Sequence, residues 1–283
     1  MKPGVAEEHY NRGVVLQRSG RLDEAADAYR RAIAARPAFP EALTNLGNLL
    51  RRAGRADEAV AQYAQALRVQ PDFPEAHANW GAALREAGRV DEAIPHLERA
   101  LALKPTLMGA MNNLGIAYAA RARSAEAIAI YRRALALSPD AHEVLTNLGN
   151  ALASLGEFGE AERCYRRVIE LNPDRADACN NLGLLLQERD DAEGALASFE
   201  RALALEPGHA DAISNVGFLL ESQGRREEAM AHYRRALDAN PRNARAAHNL
   251  GFAHLHRGEF ASGWELVEQR FDTVPPVTPR RGM

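Results

Sequence analysis

A proline recurs every 34 residues along the chain, and this period constrains the fold more than any other feature of the sequence. An asparagine and a glycine keep the same step in each of the eight copies. A fixed period of this length is typical of an array of small stacked units, each contacting only its neighbours. Such arrays present a long surface, so the period favours binding over catalysis. The eight prolines are Pro37, Pro71, Pro105, Pro139, Pro173, Pro207, Pro241 and Pro275.

The composition disfavours several classes of protein. The 283 residues carry a net charge of -3, so nothing in the overall charge indicates a nucleic acid or a membrane surface as partner. No apolar run reaches the roughly 20 residues that a membrane span needs. The two cysteines, Cys164 and Cys179, form no metal or redox motif and suit a reducing compartment, so we expect a cytoplasmic protein.

The sequence contains no pattern that indicates an enzyme. It has neither a glycine-rich phosphate loop nor a nucleophile motif, and three histidines near the C-terminus lack the spacing of a helical metal pair. We therefore expect no catalytic residues, no metal site and no cofactor. The three histidines are His248, His254 and His256.

One repeat predicts a pair of helices. In residues 142–175, Leu148 and Leu152 belong to an apolar face with steps of three and four residues, which is the period of a helix. Gly156 can adopt the left-handed conformation that ends a helix, and Pro173 ends the second helix. Each pair is too small to bury its apolar side alone, so it must stack on its neighbours. The repeats begin at Ala6, Pro40, Pro74, Met108, His142, Ala176, Ala210 and Ala244.

Small and aromatic residues recur in phase with the period. A glycine in the first helix and an alanine in the second, such as Gly149 and Ala161, allow the two helices to approach closely. Aromatic residues of the second helix are expected to fill the space between neighbouring units. These residues are Tyr29, Tyr63, Tyr131, Tyr165, Phe199 and Tyr233.

The motif Asn147-Leu148-Gly149, followed by Ala161, Tyr165 and Pro173, resembles the tetratricopeptide repeat. The resemblance covers residues 6–275 and implies an all-α, right-handed α-solenoid superhelix of about eight 34-residue helix-turn-helix repeats, with the first helices on the concave side. Residues 1–5 would form a leader and residues 276–283 a proline-rich linker or tail. The repeat that begins at Ala244 departs most from the pattern, for example at Trp264, and is expected to be a degenerate cap.

The candidate binding surface is a polar stripe on the first helices. Glu143, Asn147, Asn150 and Ser154 lie opposite the apolar face, so we expect them to line the groove. A side-chain amide carries both a donor and an acceptor and can pair with the backbone of an extended peptide. Alternatively, each asparagine bonds within its own array, and the arginines form only a solvated face. The candidate peptide-binding residues are Asn45, Asn79, Asn113, Asn147, Asn181, Asn215 and Asn249, with Arg51, Arg52 and Arg85 in the basic N-terminal third.

The sequence leaves three functional interpretations open. The first is a non-catalytic interaction scaffold whose partners are extended or disordered segments of other proteins. The second is the substrate-recruiting arm of a glycosyltransferase, because the asparagine ladder resembles that of O-linked N-acetylglucosamine transferases. Residues 258–270 are similar to a segment that joins repeats to a transferase domain in some bacterial proteins, with Val267 where a tyrosine is usual. The third is a scaffold that associates with itself as a homo-oligomer.

Overall fold

The computed structural model describes residues 4–272, which form sixteen α-helices and contain no strand. The proposed proline-rich tail and Pro275 lie outside the described residues, as does most of the proposed leader. The first eight helices are α1 Val5–Arg18, α2 Leu22–Ala35, α3 Pro40–Arg52, α4 Ala56–Val69, α5 Pro74–Glu86, α6 Val90–Leu103, α7 Met108–Ala120 and α8 Ser124–Leu137. The other eight are α9 His142–Ser154, α10 Phe158–Leu171, α11 Ala176–Glu188, α12 Ala192–Leu205, α13 Ala210–Ser222, α14 Arg226–Ala239, α15 Ala244–His256 and α16 Phe260–Asp272.

The helices form two compact units, residues 1–155 and residues 156–283. The first unit contains four helix pairs and α9, and the second contains α10 and three further pairs. Within each unit, every helix packs on the next one along the chain. This succession of helix pairs confirms the predicted all-α repeat architecture. From the second repeat onward, each first helix begins at the residue where the period places the start of the repeat.

A left-handed residue lies in the turn that follows each first helix. Gly54 and Gly156 have φ angles of 74° and 76°, as the sequence predicted for a glycine at this position. Two turns use other residues, because Ala122 has a φ of 56° and Asp190 a φ of 60°. An alanine in this conformation is strained, since its Cβ lies close to the following carbonyl oxygen.

The recurring glycine of each first helix makes room for a side chain of the second helix in the same pair. A Cβ atom on Gly47 would lie 2.6 Å from Cε1 of Tyr63, whose side chain is fully buried. A Cβ atom on Gly81 would lie 2.5 Å from Cγ of Leu97. The aromatic rings also share core clusters with the following repeat, as predicted: Tyr29 clusters with Leu46, Leu49 and Leu50. The structure adds that most of these rings lie directly against the glycine of their own helix pair.

The last two helices expose aromatic side chains. On α16, Phe260 is 63% and Trp264 is 56% exposed, although the same helix packs on α15 through Val267. These exposed aromatic residues stand beside exposed polar ones on the predicted cap, namely Ser262, Glu265 and Glu268. None of the helices in residues 4–272 combines the length and the apolar character that a membrane span requires.

Candidate functional site

The seven candidate asparagines lie on the first helices, each two residues before the recurring glycine. Six of them are partly buried, and Asn215 is only 1% exposed. In this position an amide lies at the edge of the helix pair, where it can bond either to a neighbouring helix or to a ligand. The partners of each amide therefore decide which of them are available.

Two of the asparagines donate to an asparagine of the preceding first helix in the same unit. Nδ2 of Asn147 donates to Oδ1 of Asn112 at 2.9 Å, and Nδ2 of Asn215 donates to Oδ1 of Asn180 at 2.9 Å. Oδ1 of Asn215 also accepts a hydrogen bond from Arg245 at 2.7 Å. Asn215 therefore has a structural role, because both of its polar atoms are occupied and it is buried.

Three further candidates also bond within their own unit. Nδ2 of Asn45 donates to the hydroxyl of Tyr10 at 3.3 Å. Asn113 donates to the backbone oxygen of Gly109 at 2.8 Å and accepts from Nε of Arg85 at 3.1 Å. Asn249 contacts Nδ1 of its neighbour His248 at 3.3 Å. The alternative interpretation, in which the amides bond within the array, thus describes five of the seven.

Asn79 and Asn181 differ from the other five candidates. Neither side chain forms a hydrogen bond with any other residue whose side chain is described, between residues 4 and 268. Both are partly buried and belong to first helices, Asn79 to α5 and Asn181 to α11. Their amides keep two donors and an acceptor available.

The arginines of the basic N-terminal third are mostly paired. Nη1 of Arg51 lies 2.6 Å from Oε1 of Glu86, and Arg85 bonds to Asn113 as described above. Arg52 is exposed on the last turn of α3. The sequence interpretation overlooked Glu86, which follows Arg85 directly and lies 35 residues after Arg51. That separation is one repeat plus one residue, which places the carboxylate beside the arginine of the preceding first helix.

The tyrosine hydroxyls form a second set of polar groups next to the first helices. The hydroxyl of Tyr29 donates to Oε1 of Gln17 at 2.8 Å, and that of Tyr63 donates to Oδ1 of Asn48 at 2.8 Å. Burial raises the pKa of both phenols to about 12, so they remain protonated donors. These contacts were not predicted, although the tyrosines were recognised as core residues.

An open cavity of about 670 Å³ lies between α7, α8 and α9 in the first unit. Small residues of α7 and of the end of α9 leave this space. The candidate Asn147 lines the cavity, whereas the other candidates do not. The lining residues are Ile116, Ala119, Ala120, Ala122, Ser124, Tyr131, Asn147, Asn150, Ala151, Ser154 and Leu155.

The second unit presents two aromatic side chains on the same turn of successive first helices. Phe218 on α13 and Phe252 on α15 are each 43% exposed. The ring of His248 packs on Phe252 with centroids 4.6 Å apart. The sequence interpretation assigned no role to either phenylalanine, because the period alone does not show how much of a side chain is exposed.

Profiles of the tetratricopeptide repeat match residues 10–67, 44–108, 80–142, 142–175 and 176–209, and a TPR repeat profile matches residues 220–258. No curated protein sequence matches the chain. Many solved structures do.

Three of these structures illustrate the likeness. YrrB, described as a TPR protein with an unusual peptide-binding site, is 26% identical, with a TM-score of 0.57, over 66% of this chain and 97% of that one. A tetratricopeptide repeat protein from Parabacteroides merdae is 18% identical, with a TM-score of 0.69, over 94% of this chain and 99% of that one. PilW, a type IV pilus biogenesis factor, is 21% identical, with a TM-score of 0.69, over 75% of this chain and 98% of that one. The last two show the fold alone.

Proposed function

The chain belongs to the tetratricopeptide repeat family, and from this premise we propose that it is a non-catalytic scaffold that binds extended segments of other proteins along its first helices. The observation that carries the proposal is the pair of amides of Asn79 and Asn181, which have no hydrogen-bond partner between residues 4 and 268. The likeness to YrrB, whose description mentions a peptide-binding site, supports the same class of ligand.

The chemistry of a free amide suits an extended backbone. A peptide in this conformation presents N–H and C=O groups that are not paired with each other, and one asparagine side chain can bond to both. The contact does not depend on the side chains of the peptide. We therefore propose a ligand that is recognised first by its extended conformation, with nucleic acid and membrane surfaces excluded as partners.

The asparagines alone bind weakly. Each net hydrogen bond contributes about 0.5–1.5 kcal/mol, so one amide with two bonds gives roughly 1–3 kcal/mol within its own unit before the cost of ordering the peptide. That sum corresponds to a dissociation constant weaker than about 1 mM. Additional contacts must come from apolar side chains, and Phe218 and Phe252 offer such a surface in the second unit. Burial of apolar area adds about 25 cal/mol per Å².

A second candidate function is the substrate-recruiting arm of a glycosyltransferase, in which the same surface would bind the protein to be modified. The exposed Trp264 on α16 supports this candidate, because it belongs to the segment 258–270 that is similar to a transferase linker. Self-association is the third, and sedimentation velocity at several concentrations tests it directly. We also propose a cytoplasmic location, and the only support for it is the low cysteine content of the sequence.

The test compares free amides with a structural one. We would select binders from a display library of disordered protein segments, using the wild type, the double variant Asn79→Ala/Asn181→Ala, and the control Asn215→Ala. The double variant should keep its circular dichroism spectrum and melting temperature but bind the selected peptides at least about ten-fold more weakly. Asn215→Ala should instead lose about 1–3 kcal/mol of stability, because it leaves the buried Oδ1 of Asn180 without its donor.

Two results would contradict the proposal. If the double variant binds the selected peptides as tightly as the wild type, the free amides are not the site. If no extended segment is selected by the wild type at all, a peptide-binding role fails, and a folded partner or self-association takes its place.

A further inference from the structure

We propose that the cavity between α7, α8 and α9 is an anchor pocket, which takes one large apolar side chain of an acidic extended peptide while the Tyr131 hydroxyl donates to a peptide carbonyl. This inference rests on the proposed function and specifies the ligand. It depends on three observations: the small apolar lining of the cavity, a phenol with no acceptor, and a nearby guanidinium.

The cavity exists because the residues that fill the groove elsewhere are alanines here. Ala119 and Ala120 occupy the positions of Arg51 and Arg52 in α3, two repeats earlier. Together with Ile116, Ala151 and the half-exposed Leu155 they make the lining largely apolar, and none of the lining residues is charged. A volume of about 670 Å³ is within the usual range for a ligand site.

Tyr131 provides an independent indication of a ligand. In the first two repeats, the equivalent hydroxyls donate to Gln17 and Asn48 on the first helix of the same pair. In the fourth repeat those two positions are Ala119 and Ile116, which have no acceptor and line the cavity. Tyr131 is 1% exposed, and its hydroxyl has no hydrogen-bond partner among the side chains and backbone of residues 4–268.

The ring of Tyr131 is buried, but its hydroxyl faces the open cavity and is available as a donor. A carbonyl oxygen from an extended peptide supplies the missing acceptor. The adjacent apolar lining then receives the side chain that the same stretch of peptide presents. One ligand of this kind satisfies both features at once, whereas a purely apolar ligand would leave the phenol unpaired.

The charge near the cavity favours an acidic peptide. Burial raises the pKa of the Tyr131 phenol, and the positive guanidinium of Arg85 partly offsets that rise, so Arg85 lies within electrostatic reach of the pocket. Arg85 and Arg51 share the carboxylate of Glu86, at 3.6 Å and 2.6 Å, so two guanidinium groups face one carboxylate and one positive charge is left over. A carboxylate close in sequence to the anchor side chain is therefore expected to strengthen binding at low salt.

The test uses two fluorescein-labelled peptides, Gly-Ser-Asp-Gly-Trp-Gly-Asp-Ser and the same sequence with alanine for tryptophan, in fluorescence anisotropy titrations. The wild type should bind the tryptophan peptide at least about ten-fold more tightly than the alanine peptide. Ala119→Gln should remove this preference, because glutamine both fills the cavity and accepts from Tyr131, as Gln17 does from Tyr29. Tyr131→Phe should weaken binding about three- to ten-fold, and the matched control Tyr63→Phe should not change it.

A stability measurement tests the unpaired hydroxyl without any ligand. Tyr131→Phe should leave the melting temperature unchanged, whereas Tyr63→Phe should lower it, because Oδ1 of Asn48 loses its donor. An equal drop in both variants would show that the Tyr131 hydroxyl is already paired and would overturn the proposal.

The remaining outcomes separate the pocket from the general function. Display peptides could bind through Asn79 and Asn181 while the preference for the tryptophan peptide is absent or survives Ala119→Gln. That result would refute the anchor pocket and leave the proposed scaffold function intact. If neither the display library nor the tryptophan peptide binds, both proposals fail.

Discussion

The glycine that recurs in the first helices allows a direct test of what holds each helix pair together. Two glycines of α7 form a matched pair: Gly109, in the first turn, and Gly115, opposite Tyr131. A Cβ atom on Gly109 would meet no atom within 4 Å. A Cβ atom on Gly115 would lie 2.5 Å from Cζ and 2.8 Å from Cδ1 of Tyr131. The same substitution, glycine to alanine, therefore enters open space at one position and an aromatic ring at the other.

The magnitude follows from two terms. Replacing glycine by alanine within a helix contributes up to about 1 kcal/mol of stability. At Gly115 the methyl group also forces the ring to move by about 1 Å to restore a carbon–carbon separation near 3.5 Å. Tyr131 is 1% exposed, so the move must disturb the core, and overpacking of this kind costs about 1–3 kcal/mol. Because the propensity term favours both variants, the difference between them approximates the packing term.

The assay is urea denaturation of the full chain, followed by circular dichroism at 222 nm. We expect Gly109→Ala to unfold at the same or a higher urea concentration than the wild type. Gly115→Ala should be about 1–3 kcal/mol less stable than Gly109→Ala. Equal midpoints for the two variants would refute the idea that the ring of the second helix excludes a side chain at this position. So would a Gly115→Ala variant more stable than the wild type.

Two further predictions concern other parts of the first unit. Ala122→Gly should raise the stability by about 1 kcal/mol, because Ala122 has a φ of 56° in a turn where most other repeats have glycine; a thermal melt with an unchanged or lower midpoint would contradict this. Burial, and secondly the neighbouring His77, lower the pKa of His96 from 6.5 to about 4, so the native imidazole is neutral and the unfolded chain binds the proton first. Stability should therefore be fully present above about pH 6.5 and fall as the pH drops toward 4, and the urea midpoint of His96→Gln should depend less on pH over this range.

Much of the fold follows from residues that act locally. The proline, the left-handed glycine and the three- and four-residue steps of the apolar positions predicted the helix ends, and α3, α5 and α7 begin at the first residue of their repeats. These signals are reliable because a helix end depends on the backbone conformation of one or two residues. The contact between Gly47 and Tyr63 was harder to predict from the sequence. Its partners are 16 residues apart, and they meet only because two helices cross.

The sequence by itself determined that this chain is an array of helix pairs and that its asparagines lie on the first helices. Only the tertiary structure decided which of these groups are available. Asn215 and Asn181 occupy the same position of the 34-residue repeat. Asn215 bonds to Asn180 and Arg245, whereas Asn181 bonds to no described side chain. Likewise, Tyr63 and Tyr131 occupy equivalent positions, and only the first has an acceptor. The repeat determines the position of a residue within the helix pair. The hydrogen bonds of its side chain depend on residues about one repeat away, and those residues vary from copy to copy.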